Sequence, residues 1–354
     1  EPCTFENVPN ISDVATMAAI AEKLGASVSG DTSAHRLVIQ ARGLTSASPD
    51  VALSRRLRGS ILFAGPLLGR LRRAEMPYPG GDAIGARPLS THLHALEALA
   101  VSIEENGRLV MDGRNLSGNI VTLEEPSVTA TETALLASVL APGRTLINLP
   151  AHEPHTQELV GFLRAMGADI RWPQLDVIEI NGVPRLHGAT HRLNPDELEI
   201  SSFATLAAAT RSEITLDGIA PRYLAAVFLQ LKKMGVAFEL DGATLRLRRP
   251  SQSYKSFRVQ SGLYPKLGSD HLPPFAVLAT QAEGASLIHD WLYENRLRYI
   301  PELQKMGAAC IILDPHRAII TGPTPLSGCE IKSLDIRSGM SLVIASLVAE
   351  GRST

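Results

Sequence analysis

The apolar and polar positions of this chain follow a pattern that returns five times. Each copy has an amphipathic helical run, a small residue and then a short strand in which apolar and polar positions alternate. The five phrases are AEKLGASV at 21–28, LEALAVSI at 96–103, LRAMGADI at 163–170, LKKMGVAF at 231–238 and LQKMGAAC at 303–310. They lie roughly 70 residues apart, a regularity typical of an internal structural repeat. The pattern therefore predicts a chain built from copies of one βα unit.

The fifth copy predicts its elements most clearly. Gly284 predicts the end of a helix, and the alternation over 286–289 predicts a strand. Ile300, Leu303 and Met306 have the spacing of the buried face of a second helix. The Gly or Ala after the Leu or Met of each phrase stands where a helix ends, a position at which left-handed backbone favours glycine.

Further helices are predicted outside the repeated phrase. Leu93, Leu96 and Leu99 lie on one apolar face of a helix after residue 88, and the segments 271–282 and 341–349 also have helical patterns. The chain starts just after the first helix of a unit and stops before the strand that the repeat would place next. We therefore expect material to be missing at both ends of the repeat.

Composition places the chain among ordinary globular proteins. Its 354 residues are enough for two domains, which we expect to be 1–194 and 195–354, with the crossover near Asn194 and Pro195. The formal net charge is −2, so the chain lacks the strongly basic character that is typical of nucleic-acid-binding proteins. The apolar stretches 60–69 and 341–349 are too short to span a bilayer. Three cysteines without CxxC spacing indicate reduced, structural thiols and a cytoplasmic protein.

The segment PYPGGDAIGARP, residues 77–88, is the densest in special residues. Gly80, Gly81 and Gly85 would allow a ligand to approach the backbone closely, and Arg87 adds a positive charge. This pattern fits an anion-binding loop, but it fits an ordinary strand-to-helix turn equally well. Asp82 is then either an acid–base group in a loop that closes over a substrate or a solvated side chain.

Charged residues later in the chain allow two interpretations as well. Arg296 either belongs to a second anion-binding loop or forms a surface pair with Glu294. Asp335 and Arg337 are two residues apart, so their side chains would project to the same side of an extended segment. They would then either face a cleft together or form a surface salt bridge. Asp270 is either a reactive carboxylate or the N-cap of the helix that follows.

The run His152–His155 has metal-ligating residue types but does not predict a metal site. Pro154 prevents the two histidines from forming a chelate on one helix face, and no third ligand is suitably spaced. There is no Walker loop and no GxGxxG after a first strand. The sequence predicts neither a metal nor an organic cofactor.

Several of these segments together resemble one enzyme family. PGGDAIGARP, the segment 58–61, YENR, the Ser269-Asp270 helix start and DIRSGMSL resemble the UDP-N-acetylglucosamine enolpyruvyltransferases, along the whole chain and in the same order. The resemblance implies an α/β fold with two domains, each an inside-out α/β barrel, built from six βαβαββ units. Five units are visible as repeats, and the missing ends would account for the sixth.

The resemblance also implies a reaction and its catalytic residues. Such enzymes transfer the enolpyruvyl group of phosphoenolpyruvate to the 3′-hydroxyl of UDP-N-acetylglucosamine with release of phosphate, the first committed step of peptidoglycan synthesis. Asp82 stands at the family's general-acid position and Asp270 at the position that accepts the hydroxyl proton, with Asp335 and Arg337 in the same cleft. Asp82 replaces a more common Cys, which implies insensitivity to fosfomycin, an epoxide that alkylates the thiolate.

The binding positions implied by the resemblance form two sets. Planar guanidinium groups suit the carboxylate and phosphate of phosphoenolpyruvate, and the family's anion-binding positions are Arg58, Arg87, Arg296 and Arg337. The positions that contact the sugar nucleotide are Arg87, Pro88, Leu89, Ser127, Val128, Thr129, Asp270 and Leu292.

The chain also departs from the family pattern. Thr129 replaces a usual Gly, Glu125 a common Lys and Glu197 a common Arg. A Lys-Asn pair would precede Glu1, and a late Arg would follow Thr354.

Two alternatives remain at this stage. One is the sister enolpyruvyltransferase that acts on 3-phosphoshikimate, although the GGDAIGARP loop is typical of the UDP-sugar branch. The other is a catalytically inactive homologue that binds a UDP-sugar or a partner protein, which the departures favour and the retained Asp82, Asp270 and arginines oppose. The oligomeric state is not predicted.

Overall fold

The computed structural model describes residues 1–81 and 84–354. These residues form two compact units with a break between Asn194 and Pro195. The first unit contains residues 1–81 and 88–194, and the second contains 84–87 and 195–354. The short segment 84–87 thus groups with the second unit although its neighbours in sequence belong to the first.

The repeat predicted from the sequence is present as five sheets with one topology. In each sheet three consecutive strands are arranged in the order first, third, second, with antiparallel neighbours, and a helix connects the first strand to the second. The triplets are β1 Cys3–Glu6, β2 Ser27–Asp31 and β3 Arg36–Gln40; β4 Arg73–Met76, β5 Ser102–Glu105 and β6 Leu109–Asp112; β8 Arg144–Asn148, β9 Asp169–Gln174 and β10 Val177–Asn181; β12 Ile214–Asp217, β13 Phe238–Asp241 and β14 Thr244–Leu247; and β17 Ala282–His289, β18 Ala309–Asp314 and β19 Arg317–Gly322.

Four further strands extend these sheets by parallel pairing. β7 Ile120–Thr122 pairs with β8, β11 Thr190–Arg192 with β1, and both β15 Tyr254–Lys255 and β16 Arg258–Gln260 with β17.

The α-helices alternate with these strands along the chain. They are α1 Ser12–Lys23, α2 Val51–Ser54, α3 Ala64–Leu71, α4 Ser90–Ala98, α5 Val128–Ser138, α6 Pro154–Ala165, α7 Glu197–Ala209, α8 Ala225–Met234, α9 Leu272–Ala279, α10 Ile300–Lys305 and α11 Ile336–Val348. Short 3₁₀ helices cover Arg58–Phe63, Pro221–Tyr223, Ser269–His271 and Arg296–Tyr299.

The residue after Leu or Met in each repeated phrase has the predicted left-handed backbone. The φ angles are +102° at Gly25, +63° at Ala100, +96° at Gly167, +80° at Gly235 and +95° at Gly307. Each residue follows the helix of its copy and lies just before the second strand. The helix-terminating role predicted for this position is therefore confirmed in all five copies.

Helices rather than sheets form the centre of each unit. Every residue of α9 is buried, and this helix packs against α7 and α11 in the second unit. In the first unit α5 is buried on most of its surface and packs against α3 and α4. A helix that is buried on most or all of its surface lies in a core, and these two central helices give each unit the inside-out arrangement predicted for the fold.

Three local predictions were wrong in their boundaries. Gly284 lies inside β17 and does not end a helix, because α9 stops at Ala279 and Thr280 already turns the chain. The segment 271–282 is not one helix: His271 ends the 3₁₀ turn, α9 covers only Leu272–Ala279, and Ala282 begins β17. α11 begins at Ile336, several residues before the predicted start.

Two expectations about the rest of the chain can be compared with the structure. Among the described residues, no helix has the length and apolar character needed to cross a membrane. Cys310 packs in the core of the second unit, as predicted, and burial raises the pKa of its thiol to about 11.

Candidate active site

The buried Arg296 is the centre of a charged cluster in the second unit. It opens the 3₁₀ helix that follows β17, and only 2% of its side chain is exposed. Its Nη2 donates to Oδ1 of Asp270, and its Nη1 donates to Oδ1 of Asp335 over 3.3 Å. These residues are 26 and 39 positions away in sequence, so the tertiary fold creates the cluster.

Asp270 is the exposed member of this cluster. Its Oδ2 accepts a hydrogen bond from Nε of Arg337 at 3.3 Å, so its carboxylate lies between two guanidinium groups. Its side chain is 39% exposed, whereas that of Asp335 is 3% exposed. Asp270 can therefore still accept a hydrogen bond or a proton from a bound molecule.

Asp335 is held by the start of α11. Its carboxylate accepts the backbone N–H of Arg337 at 3.0 Å and of Ser338 at 2.9 Å, together with the hydroxyl of Ser338. It is the N-cap of the helix, so the expected extended segment was wrong and Arg337 lies in the first helical turn. The cap fixes Asp335 and Arg337 on the side of α11 that faces Arg296.

Two other local interpretations were also wrong. Asp270 does not cap a helix, because it lies inside the 3₁₀ turn 269–271 and its carboxylate binds the two arginines. Glu294 does not pair with Arg296, because its carboxylate accepts the backbone N–H of Ala86 at 2.8 Å.

The histidine next to Asp270 contributes no charge to the cluster. His271 is buried, and burial lowers its pKa to about 4, the positive charge of Arg337 acting in the same direction and Asp270 against it. The ring is therefore neutral at pH 7. Two carboxylates and two guanidinium groups then leave the cluster without net charge.

Asp290, which sequence reasoning missed, holds the segments on which the cluster stands. It is completely buried and accepts hydrogen bonds from Ser261 Oγ at 3.0 Å, from Leu292 N at 3.1 Å and from Ser269 Oγ. Ser269 precedes Asp270, and Leu292 begins the loop that leads to Arg296. Asp290 thus connects the two segments that bring Asp270 and Arg296 together.

We expect the substitution Asp290→Ala to lower the free energy of unfolding by about 2–3 kcal/mol, because two buried hydroxyl groups and the partly buried N–H of Leu292 lose their acceptor. Asp290→Asn keeps one carbonyl oxygen and should cost less. Urea denaturation of both variants checks this order. Equal stability of Asp290→Ala and the unsubstituted protein would show that these hydrogen bonds contribute nothing.

Several other predicted residues lie in the first unit, in two groups. In the first group, Nη2 of Arg58 donates to the carbonyl of Pro88 over 3.3 Å. Leu89 is the next residue in the chain and directly precedes α4. Ser127 precedes α5, while Val128 and Thr129 form its first turn, and the Ser127 side chain does not cap the helix. The first N–H groups of α5 therefore have no capping side chain, the arrangement that suits an anion.

His92 connects these two groups and was also missed. Its Nε2 lies 3.0 Å from the hydroxyl of Thr129 and its Nδ1 lies 3.0 Å from that of Thr133. Burial, with a smaller effect of Arg58, lowers the pKa of His92 to about 4, so the ring is neutral. The only sequence signal was a polar residue on the apolar face of α4, which many core histidines share.

Not every predicted residue can be placed. Asp82 lies outside the described residues. Arg87 and Leu292 belong to the second unit with Asp270, whereas Arg58, Pro88, Leu89 and the segment 127–129 belong to the first. Among the described residues no group of His, Cys, Asp or Glu is arranged to hold a metal ion, and Pro154 opens α6 within the 152–155 run.

Comparison with known proteins gives a consistent result. The family described as EPSP synthase (3-phosphoshikimate 1-carboxyvinyltransferase) matches residues 1–354. The UDP-N-acetylglucosamine 1-carboxyvinyltransferase of Treponema denticola is 39% identical over 100% of this chain and 84% of its own length. The enzyme of that name from Bradyrhizobium diazoefficiens is also 39% identical, over 100% of this chain and 83% of its own.

Solved structures agree with this match at the level of the fold. The enolpyruvyl transferase NikO from Streptomyces tendae aligns with a TM-score of 0.89 at 24% identity, over 99% of this chain and 84% of its own. An EPSP synthase from Acinetobacter baumannii aligns with a TM-score of 0.72 at 21% identity, with the same coverage of each chain. These alignments confirm the fold class predicted from the sequence.

Proposed function

Because this chain belongs to the UDP-N-acetylglucosamine 1-carboxyvinyltransferases, a group within the EPSP synthase family, we propose that it transfers the enolpyruvyl group of phosphoenolpyruvate to the 3′-hydroxyl of UDP-N-acetylglucosamine. Phosphate is the second product. The observation that carries this proposal on the chain's own residues is the cluster of Asp270, Arg296, Asp335 and Arg337, which combines an exposed carboxylate with fixed guanidinium groups.

The addition step needs a proton acceptor and a proton donor. The hydroxyl oxygen forms a bond to C2 of phosphoenolpyruvate while its proton passes to the Asp270 carboxylate. The C3 methylene receives a proton from Asp82, giving a tetrahedral adduct. In the elimination the Asp82 carboxylate takes a proton back from C3 while the C2–O bond to phosphate breaks, and the proton held by Asp270 leaves with the phosphate. This restores the enol double bond and releases the second product.

The arginines are assigned to the anionic groups of the substrates. In the second unit Arg296 and Arg337 stabilise the carboxylate and phosphate of phosphoenolpyruvate, and Arg87 contributes a further charge, as does Arg58 in the first unit. The start of α5, with Ser127, Val128 and Thr129, is assigned to the sugar nucleotide together with Pro88 and Leu89. Leu292 is assigned to the sugar nucleotide from the second unit.

We further assign the reaction to peptidoglycan synthesis in the cytoplasm, where phosphoenolpyruvate and UDP-sugars are made. The three cysteines, Cys3, Cys310 and Cys329, are free, which suits a reducing compartment.

The decisive experiment measures phosphate released from phosphoenolpyruvate by the purified protein. Release that depends on UDP-N-acetylglucosamine supports the proposal, and release that depends on 3-phosphoshikimate would instead assign the chain to the sister activity. Binding of UDP-N-acetylglucosamine without phosphate release would favour an inactive homologue.

Fosfomycin gives a further prediction, which concerns Asp82. A carboxylate is a poorer nucleophile towards an epoxide than a thiolate, so we expect the unsubstituted enzyme to keep its activity after incubation with fosfomycin. Asp82→Cys should become sensitive and gain the mass of one fosfomycin on residue 82. Time-dependent loss of activity of the unsubstituted enzyme would contradict this prediction.

A further inference from the structure

Glu294 makes an unusual contact for an exposed carboxylate beside a charged cluster. Its Oε1 accepts the backbone N–H of Ala86 at 2.8 Å, although Ala86 is 208 positions earlier in the chain. Its Oε2 lies against Gly85, where an added Cβ would come within 2.6 Å of it. The carboxylate therefore fits closely against the backbone of two consecutive residues.

The segment 84–86 is held at a second point by Asn295, the residue after Glu294. The backbone N–H of Asn295 donates to the carbonyl of Ile84 over 3.2 Å. The Ile84 side chain is itself buried, with 7% exposure. Residues 84–86 are thus held by the N–H of Ala86, the C=O of Ile84 and the buried side chain of Ile84. The two hydrogen bonds, to Glu294 and Asn295, lie within the second unit.

The position of this attachment gives it a chemical meaning. Ala86 directly precedes Arg87, and Glu294 lies two residues before Arg296, so one short loop touches both arginine-bearing segments. Tyr293, which directly precedes Glu294 in that loop, lies within the electrostatic influence of both Asp270 and Arg87. The spacing of Arg87 from the cluster therefore depends on how residues 84–86 are held.

We propose that Glu294 is a positioning residue that fixes the main chain of residues 84–86 and thereby sets the location of Arg87 relative to Arg296 and Asp270. It acts through the backbone and does not itself contact substrate. The expected effect on substrate binding rests on the proposed function, whereas the contact between Glu294 and Ala86 does not depend on it.

The loss of this contact should affect the position of residues 84–86 and not the stability of the second unit. A hydrogen bond from a backbone N–H to an exposed carboxylate contributes little to the stability of the whole unit, because water can take the place of either partner. Loss of the exposed carboxylate leaves Ala86 N–H free to bond with water. Removal of Glu294 should therefore release residues 84–86 without unfolding the second unit.

The first experiment measures hydrogen exchange of the Ala86 amide in the full chain. Glu294→Ala should accelerate this exchange about threefold to tenfold, as expected for the loss of one hydrogen bond. Glu294→Gln keeps a carbonyl acceptor of the same length and should retain most of the protection. The matched control is Glu283→Ala, which removes an exposed carboxylate of the same unit that has no hydrogen-bond partner among the described residues.

The second experiment measures steady-state kinetics with both substrates. Glu294→Ala should raise KM for phosphoenolpyruvate about fivefold to twentyfold and KM for UDP-N-acetylglucosamine much less, with Glu294→Gln close to the unsubstituted enzyme. Gly85→Ala should show the same pattern by a different route, since its Cβ would displace the carboxylate.

The two experiments test separate claims, so the positioning role and the proposed function can be contradicted independently. Unchanged Ala86 exchange in Glu294→Ala would overturn the positioning role whatever the activity. Faster exchange with unchanged KM values would also overturn it, because the fixed segment would then have no effect on substrate binding. Absence of turnover in the unsubstituted protein would contradict the proposed function and leave the exchange experiment as the test of the contact.

Discussion

Asp270→Asn is expected to lower kcat by about 10²–10⁴-fold, the usual contribution of a positioned acid–base group. An amide has one carbonyl oxygen and can still accept from Arg296 or Arg337, but it cannot take the proton of the sugar hydroxyl. Because 39% of the Asp270 side chain is exposed, the substitution should change stability little. The KM for UDP-N-acetylglucosamine should change only severalfold.

Phosphate release under saturating substrates measures this effect, with nucleotide binding followed by calorimetry. Asp241→Asn is the matched control, since Asp241 is a largely exposed carboxylate of the same unit with a long ion pair to Arg246. If Asp270→Asn retained kcat within about threefold, another group would have to accept the hydroxyl proton.

The repeat could be predicted from the sequence because its signals are local. A helix that ends in left-handed backbone needs a small residue there whatever the neighbouring chain does, and Gly25, Ala100, Gly167, Gly235 and Gly307 all have positive φ. The identical strand order of the five sheets follows from repeating that local unit. Gly284 shows the limit of this reasoning, because the same residue type occurs inside a strand.

The partners of the charged residues could not be predicted in the same way. Local reasoning offered Asp270 as an N-cap and Glu294 as a partner of Arg296, since both arrangements need only neighbouring residues. The structure instead pairs Arg296 with Asp270 and Asp335, and Glu294 with Ala86, over separations that only the tertiary fold determines. The family resemblance named Asp270, Arg296, Asp335 and Arg337 as site residues without specifying their hydrogen bonds.

Buried polar residues with a supporting role were the least predictable. Asp290 and His92 have no motif, and their importance comes from donors and acceptors on other elements. A single buried carboxylate after a strand, or one histidine on a helix, has the same appearance in sequence whether it supports a site or only fills a core.

Arg296→Met has the largest expected effect on stability, because it removes the cation between two carboxylates. Asp335 is 3% exposed and would keep its hydrogen bonds to the start of α11 but lose its charge partner. Removing one member of a buried ion pair costs about 3–5 kcal/mol, and the loss of the guanidinium should also abolish measurable turnover.

A second substitution separates the two effects of Arg296. In Arg296→Met combined with Asp335→Asn, the buried negative charge is removed as well, so about half or more of the lost stability should return while activity stays absent. Arg298→Met, an exposed position in the same 3₁₀ helix, is the control for loss of an arginine as such. Urea denaturation and phosphate release on all three variants provide the comparison. If the double variant were no more stable than Arg296→Met, the cost would lie in lost packing around the guanidinium stem and not in the unpaired charge of Asp335.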